Sequence, residues 1–285
     1  MADYLDATRI RALAARLGLR PSKGRGQNFL FDANTIRRIV GLAELAPDDT
    51  VLEIGPGLGS LTVGLLHGGV RVVAVEIEPV LANQLPVTMA ELAPDKVDRL
   101  SVVEADALRM TEDVIGGAQP TTLVANLPYN IAVPVLLHLL AGFPSIRRGL
   151  VMVQLEVADR LVAPPGSRVY GVPSAKLAWH ATASRVGVVP PTVFWPAPKV
   201  ESGLVRFTRR TPPPADRATT FAVVDAAFSQ RRKMLRSALS GRYGPAVREA
   251  LAQAGIPAEA RGETLSIEDF ARLATHLPTT HAHQA

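Results

Sequence analysis

The 285-residue sequence contains no cysteine at all. That excludes disulfides, a thiolate nucleophile and a cysteine-based zinc site. Aromatic residues are scarce, at 5% of the chain, so a cluster of them in an odd setting stands out. Long apolar runs are missing too; the longest are strand-length and interrupted, and no membrane span is expected. Residues 1–20 lack the continuous apolar core of a signal peptide. Leu5, Ile10, Leu13 and Leu17, with Arg9, Arg11, Arg16 and Arg20 between them, read instead as an amphipathic basic helix. Charge of one sign does not dominate, but 31 Lys+Arg against 26 Asp+Glu leaves a net +5, which favours an anionic partner. The six histidines show no metal-ligand spacing, so no metal is expected; His67, His138 and His180 read as structural, and His281 and His283 belong to the C-terminal tail. A soluble, cytoplasmic protein follows as the expectation.

What is present is an alternation of strands and helices between about 50 and 155. Val51–Ile54, Val70–Val75, Leu100–Val103, Thr122–Ala125 and Leu150–Val153 read as strands. Helices are expected near 60–67, from Pro79 and near 133–141, proline suiting a first helical turn. Nearly continuous Val/Ile/Leu strands separated by helices indicate an α/β fold with a doubly wound, mostly parallel sheet. Gly187–Val189 and Gly203–Phe207 fit a closing antiparallel pair. At Thr211-Pro212-Pro213-Pro214 the character changes, since three prolines continue neither a sheet nor a helix interior. Beyond that linker Phe221, Val224, Phe228, Leu235 and Leu239 recur at helical spacing. The expected organisation is a catalytic domain over 1–210, a small all-helical domain over 215–277 and a disordered tail over 278–285.

The first strand runs into Glu53-Ile-Gly55-Pro-Gly57-Leu-Gly59, where glycines let the backbone approach a ligand at the carboxyl edge of the sheet. Glu76, ending the second strand, is placed to hold a ribose. A dinucleotide loop would need glycine where Ser60 stands, which weakens a dehydrogenase reading. The pattern Glu-x-Gly-x-Gly-x-Gly instead resembles the S-adenosylmethionine loop of Rossmann-like methyltransferases. Asp106 ends the third strand, placed to accept from an adenine amine. Sites at three successive strand ends describe an adenosine-sized ligand; strand-end turns and caps are the plainer account of each one singly.

The fourth strand ends in Asn126-Leu127-Pro128-Tyr129. The Asn126 side-chain oxygen and the Leu127 carbonyl are candidates to accept one N–H each from an adenine N6, aiming its lone pair at a methyl donor. Asn126 does not titrate, so its contribution is positioning, which recovers on the order of 7–11 kcal/mol of barrier when reactants are well aligned. Pro128 stiffens the turn, and Tyr129 is the candidate to stack on an extruded base. Phe194, in Phe194-Trp195-Pro-Ala-Pro198, is a candidate second wall.

These motifs together resemble the ribosomal small-subunit RNA adenine dimethyltransferase family over nearly the whole chain. The resemblance also includes Gly26–Leu30, Gln154-Leu-Glu156 leading to Arg160-Leu-Val162, Pro164–Gly166, Tyr170-Gly171, Phe194–Ser202 and Phe228–Lys233. It implies that Asn28 and Leu30 contact S-adenosylmethionine alongside Gly55, Glu76, Asp106 and Asn126, with S-adenosylhomocysteine as product. It implies transfer of methyls to N6 of two adjacent adenosines near the 3′ end of small-subunit (16S) RNA, within a pre-30S particle; a monomer is the expectation, though the sequence does not itself fix the oligomeric state. Gly24-Arg25 and Val172-Pro173 depart from the family pattern, the second in a loop near the RNA entrance.

Arg231, Arg232, Lys233 and Arg236 crowd one part of the helix read as beginning at Phe221, with Arg209, Arg210 and Arg217 nearby. They are the expected RNA-phosphate contacts, with a solvated helix face as the alternative. Arg147-Arg148 reads as solvated surface. Two other functions stay open: a large-subunit (23S) RNA dimethyltransferase of the macrolide-resistance type, which shares the Asn126 motif, and a ribosome-assembly factor acting mainly by binding. A DNA adenine methyltransferase would more usually carry Asp at position 126 and a separate recognition domain.

Overall fold

The computed structural model describes residues 3–19 and 27–278. The readings made for Arg20, for Gly24 to Gly26, for His281 and His283 and for the tail beyond Pro278 lie outside them. Two compact units form: Met1–Ala158 with Ala183–Arg209, and Asp159–Thr182 with Arg210–Ala285. The sequence analysis assigned everything up to 210 to one domain. In the structure Asp159–Thr182 belongs instead to the helical unit, because Tyr170, Ala175 and Trp179 supply part of its apolar core.

The first unit opens with α1 (Ala7–Arg16), capped by Asp6, whose carboxylate accepts from the N–H groups of Thr8 and Arg9. Its Ile10, Leu13 and Ala14 are buried, as an amphipathic helix requires. Next come β1 (Phe29–Leu30), α2 (Ala33–Leu42), β2 (Thr50–Ile54), α3 (Ser60–His67), β3 (Arg71–Glu76), α4 (Pro79–Leu92), β4 (Leu100–Glu104), β5 (Thr122–Asn126), α5 (Ala132–Gly142) and β6 (Arg148–Gln154). After α6 (Leu155–Leu161) and α7 (Val172–His180), β7 (Ala181–Val189), β8 (Phe194–Trp195) and β9 (Ser202–Arg209) complete the strands.

The main sheet has the order β4-β3-β2-β5-β6-β9-β7. β2 to β6 pair in parallel, while β9 runs antiparallel to β6. All five sequence-read strands and the neighbouring of β7 with β9 appear as expected. Parallel strands covered on both faces bury every side chain, so β2 carries Val51, Leu52, Glu53 and Ile54 all inside. α3 is buried from Ser60 to Leu66, because its neighbours close over it on every side. A separate antiparallel ribbon joins β1 to β8, with Leu30 opposite Phe194 and Phe29 opposite Trp195.

The helical unit contains α7, α8 (Arg217–Ser229), α9 (Leu235–Ala238), α10 (Ser240–Tyr243), α11 (Ala246–Gln253) and α12 (Ile267–His276). α8 starts four residues before Phe221, because Asp216 caps it by accepting from Thr219 N–H. It also stops earlier than the apolar spacing implied. Gln230–Lys233 form a turn, and Met234 and Leu235 pair with the backbone of Arg261 and Ala260, so the basic run lies beyond the helix. Val172 and Pro173 open α7, where proline lacks nothing, since a first-turn N–H has no intrahelical partner.

Candidate active site

The carboxyl ends of β2, β3 and β5 open onto a cleft of about 310 Å³. Of the residues singled out from sequence, Asn28, Leu30, Gly55, Glu76, Asp106, Asn126 and Pro128 line it. The loop after β2 explains its shape. Gly55, Gly57 and Gly59 have φ of +65°, +59° and +96°, a region that side chains rarely adopt. A Cβ on Gly57 would sit 3.0 Å from the Phe29 ring, and one on Gly59 would meet Met89 Cε at 2.6 Å. Only bare backbone fits between the cleft and its support.

Three carboxyl groups stand around that loop. Glu76 is buried, its Oε2 accepting from Gly57 N–H and its Oε1 from Glu78 N–H, each at 3.1 Å. A carboxylate has more acceptor positions than those two N–H groups occupy, so Glu76 can still accept from a vicinal diol. Burial pushes its carboxyl above the usual range, offset by those backbone N–H groups. Asp106 Oδ1 accepts from Leu108 N–H at 2.9 Å, a turn that fixes its carboxylate at the end of β4. Glu53, given no role by sequence, is 1% exposed on the cleft wall, and its Oε2 has no hydrogen-bond partner among the described residues. Burial raises its carboxyl to about 8, with Thr62 opposing and Glu76 adding to the shift.

At the end of β5 the Asn126 amide donates from Nδ2 to the Asn28 carbonyl at 3.3 Å. The opposite orientation would set two carbonyl oxygens against each other, so Oδ1 is the atom left to accept. Leu127 is buried and anchored by its N–H on the Met152 carbonyl at 3.0 Å. Pro128 faces Gly55, and Tyr129 is half-buried with its hydroxyl 2.7 Å from Ser202 Oγ. Phe194 departs from the sequence expectation of a base-facing wall: it is 3% exposed and packs in the apolar core. Neighbours on a strand point to opposite faces, and here Phe194 takes the inner one while the half-buried Trp195 stacks on Phe29. Among the lining residues that sequence reading missed are Ile77 and Asn130. An isoleucine 59% exposed beside Glu76 offers an apolar face for a flat ring, and its position directly after a strand-end acid was the available signal.

The basic residues divide by what they touch. Arg209 is not a phosphate ligand: it donates to the carbonyls of Leu140, Phe143 and Ile146, satisfying the orphan end of α5. Arg148 is not solvated surface either, pairing with the buried Asp49 at 2.5 Å. Arg210 pairs with Glu268, and Arg217 lies over the Phe221 ring. Arg231 is held by Glu263 at 3.0 Å and by the Arg168 carbonyl, and Arg236 lies 3.9 Å from Glu259. Arg232 and Lys233 are exposed and have no ion-pair partner among the described residues. His138 meets the Met110 carbonyl and His67 the Asp3 carbonyl, both structural contacts.

A family model described as ribosomal RNA adenine dimethylase matches residues 20–278. The chain belongs to that family. Ribosomal RNA small subunit methyltransferase A of Cutibacterium acnes is 62% identical, over 94% of this chain and 93% of that protein. The protein of the same name from Kineococcus radiotolerans is 59% identical, over 98% and 93%. Among solved structures, the 23S rRNA methyltransferase ErmE is 29% identical with TM-score 0.62, over 88% of this chain and 99% of that one. A dimethyladenosine transferase from Plasmodium falciparum, at 22% identity and TM-score 0.70, shares the fold. The chain is therefore a methyltransferase with a Rossmann-like sheet, and membership implies S-adenosylmethionine as its methyl donor. The residues fit that donor: a cradle of three glycines at positive φ where side chains are strained, and a buried Glu53 oxygen on the cleft wall without a hydrogen-bond partner among the described residues. No helix among the described residues is long and apolar enough to cross a membrane.

Proposed function

We propose that this chain transfers methyl groups from S-adenosylmethionine to N6 of two adjacent adenosines near the 3′ end of small-subunit (16S) RNA, giving N6,N6-dimethyladenosine. The observation that carries the reading is the Asn126 amide, whose Nδ2 is committed to Asn28 and whose Oδ1 is thereby aimed as an acceptor. Asn126 Oδ1 and the Leu127 carbonyl take the two amine N–H groups and turn the nitrogen lone pair toward the donor. Tyr129 stacks on the base, and Pro128 holds the turn against Gly55. Glu76 and Asp106 hold the donor's ribose and adenine, Gly55 lets its backbone approach, and Asn28 and Leu30 close the cleft from β1. The donor itself supplies a methyl group made electrophilic by its sulfonium.

Arg231, Arg232, Lys233 and Arg236 are the proposed contacts to RNA phosphates, with Arg232 and Lys233 foremost because intramolecular carboxylates engage the other two. The partner is a pre-30S particle in the cytoplasm. The proposed form is a monomer. Relatives named for the small subunit are about twice as identical to this chain as ErmE, which favours 16S over 23S RNA. The test is methyl transfer by purified protein from labelled donor to pre-30S particles and to 23S RNA. Label appearing as dimethyladenosine in the first alone is expected; no label in adenine overturns the reading.

A further inference from the structure

The Tyr129 ring is tethered at its far end. Its hydroxyl lies 2.7 Å from Ser202 Oγ, and Ser202 is 0% exposed at the head of β9. Topology creates this contact. Because β9 runs antiparallel to β6, its first residue, Ser202, pairs with Gln154 at the end of β6. That brings a hydroxyl to the carboxyl edge, where Asn126–Tyr129 leaves the neighbouring β5. A parallel strand would have presented its last residue there. The next residues of β9, through Val205, are buried and apolar, so a hydroxyl at its head needs a partner, and among the described residues the Tyr129 phenol supplies it. Burial keeps the phenol above its usual range, hence a neutral hydroxyl.

We propose that Ser202 is a positioning residue for methyl transfer: by fixing the far end of the Tyr129 ring it sets the plane on which adenine stacks, and with it how completely a second methylation follows the first. This rests on the reading of Tyr129 as the stacking wall. In each transfer the N6 lone pair forms the N–CH₃ bond as the donor's S–CH₃ bond breaks, and one N6 proton leaves to water. The first transfer begins with two N–H groups to guide the amine. The second begins with one, so stacking carries a larger share of the alignment on which rate depends. A loosened ring therefore slows the second step more than the first.

The experiment compares Ser202→Ala, Tyr129→Phe, their double variant and Tyr129→Ala on small-subunit RNA particles, counting mono- and dimethyladenosine. Donor affinity is measured alongside as the check on folding. Ser202→Ala is expected to keep donor affinity within about twofold. Its second transfer should slow roughly tenfold, so monomethyladenosine accumulates. Tyr129→Phe should match it and the double variant should be no worse, since either change removes the same contact. If Tyr129→Ala is impaired while Ser202→Ala and Tyr129→Phe give the parent product ratio, the tether is overturned and the stacking wall stands. If Tyr129→Ala also matches the parent, the stacking reading falls and the tether with it. Should Ser202→Ala fail to bind donor, Tyr129→Phe decides alone: accumulated monomethyladenosine supports the tether, and an unchanged ratio overturns it.

Discussion

At the scale of single residues, the site depends on which atom of each side chain is already spoken for. Asn126 donates to Asn28, so its oxygen is the atom left to accept. Asn126→Ala is expected to cost about 10²–10³ in kcat, the range seen for one pre-aimed hydrogen-bonding group, and only a few-fold in donor affinity. Equal losses in the two measurements would make Asn126 chiefly a donor ligand. Glu53 is the opposite case, with one oxygen left without a partner. Its carboxyl, raised by burial to about 8 from an ordinary 4.5, keeps its proton in the ligand-free fold when the unfolded chain has lost it. Stability from this group is therefore present at low pH and lost as pH rises from the unfolded value through about 8. Glu53→Gln should remove that part of the loss, so urea unfolding from pH 5 to 9 should show the variant gaining on its parent. Parallel curves would sink the idea.

Elements explain why distant residues meet. The Gly55–Gly59 loop puts three positive φ angles between β2 and α3, and its close approach to Phe29 ties the ribbon to the cleft floor. Gly57→Ala should weaken donor binding at least tenfold, because the added methyl meets the Phe29 ring and the backbone must leave a left-handed conformation. Calorimetric titration showing parent-like affinity would contradict this. Arg209, read from sequence as a phosphate contact, closes the end of α5 instead. Arg209→Ala is expected to lower stability by about 1–3 kcal/mol through unsatisfied carbonyls and to leave RNA affinity unchanged. Strand existence was legible in the sequence because buried parallel strands are runs of Val, Ile and Leu. The end of α8 was not: apolar spacing continues through Leu235 and Leu239, while the backbone breaks at Gln230–Lys233 and Met234 and Leu235 then pair with Arg261 and Ala260.

On the scale of the whole molecule, charge is modest and its distribution matters more than its sum. Most basic side chains in the described residues have carboxylate, carbonyl or ring partners, whereas Arg232 and Lys233 are exposed without an ion pair. Replacing both by alanine should flatten the plot of log affinity for RNA against log salt by about 1.4–1.8, at 0.7–0.9 per phosphate contact. An unchanged slope would return them to an ordinary solvated surface. The division into units was only half visible. The proline linker near 212–214 marks one boundary, but nothing in the sequence of Asp159–Thr182 announces that its aromatic side chains join the helical core.

The sequence alone determined the sheet class, the glycine loop, the strand-end acids and the Asn126–Tyr129 turn, since each depends on residues close together along the chain. Tertiary structure decided which way the Asn126 amide points, that Glu53 is buried with an unpartnered oxygen, that Phe194 faces inward and that Ser202 holds Tyr129. Those outcomes depend on pairing across 98 residues at Asn126–Asn28 and 73 at Tyr129–Ser202. Local propensity carries no information about such pairs; the order and direction of strands create them.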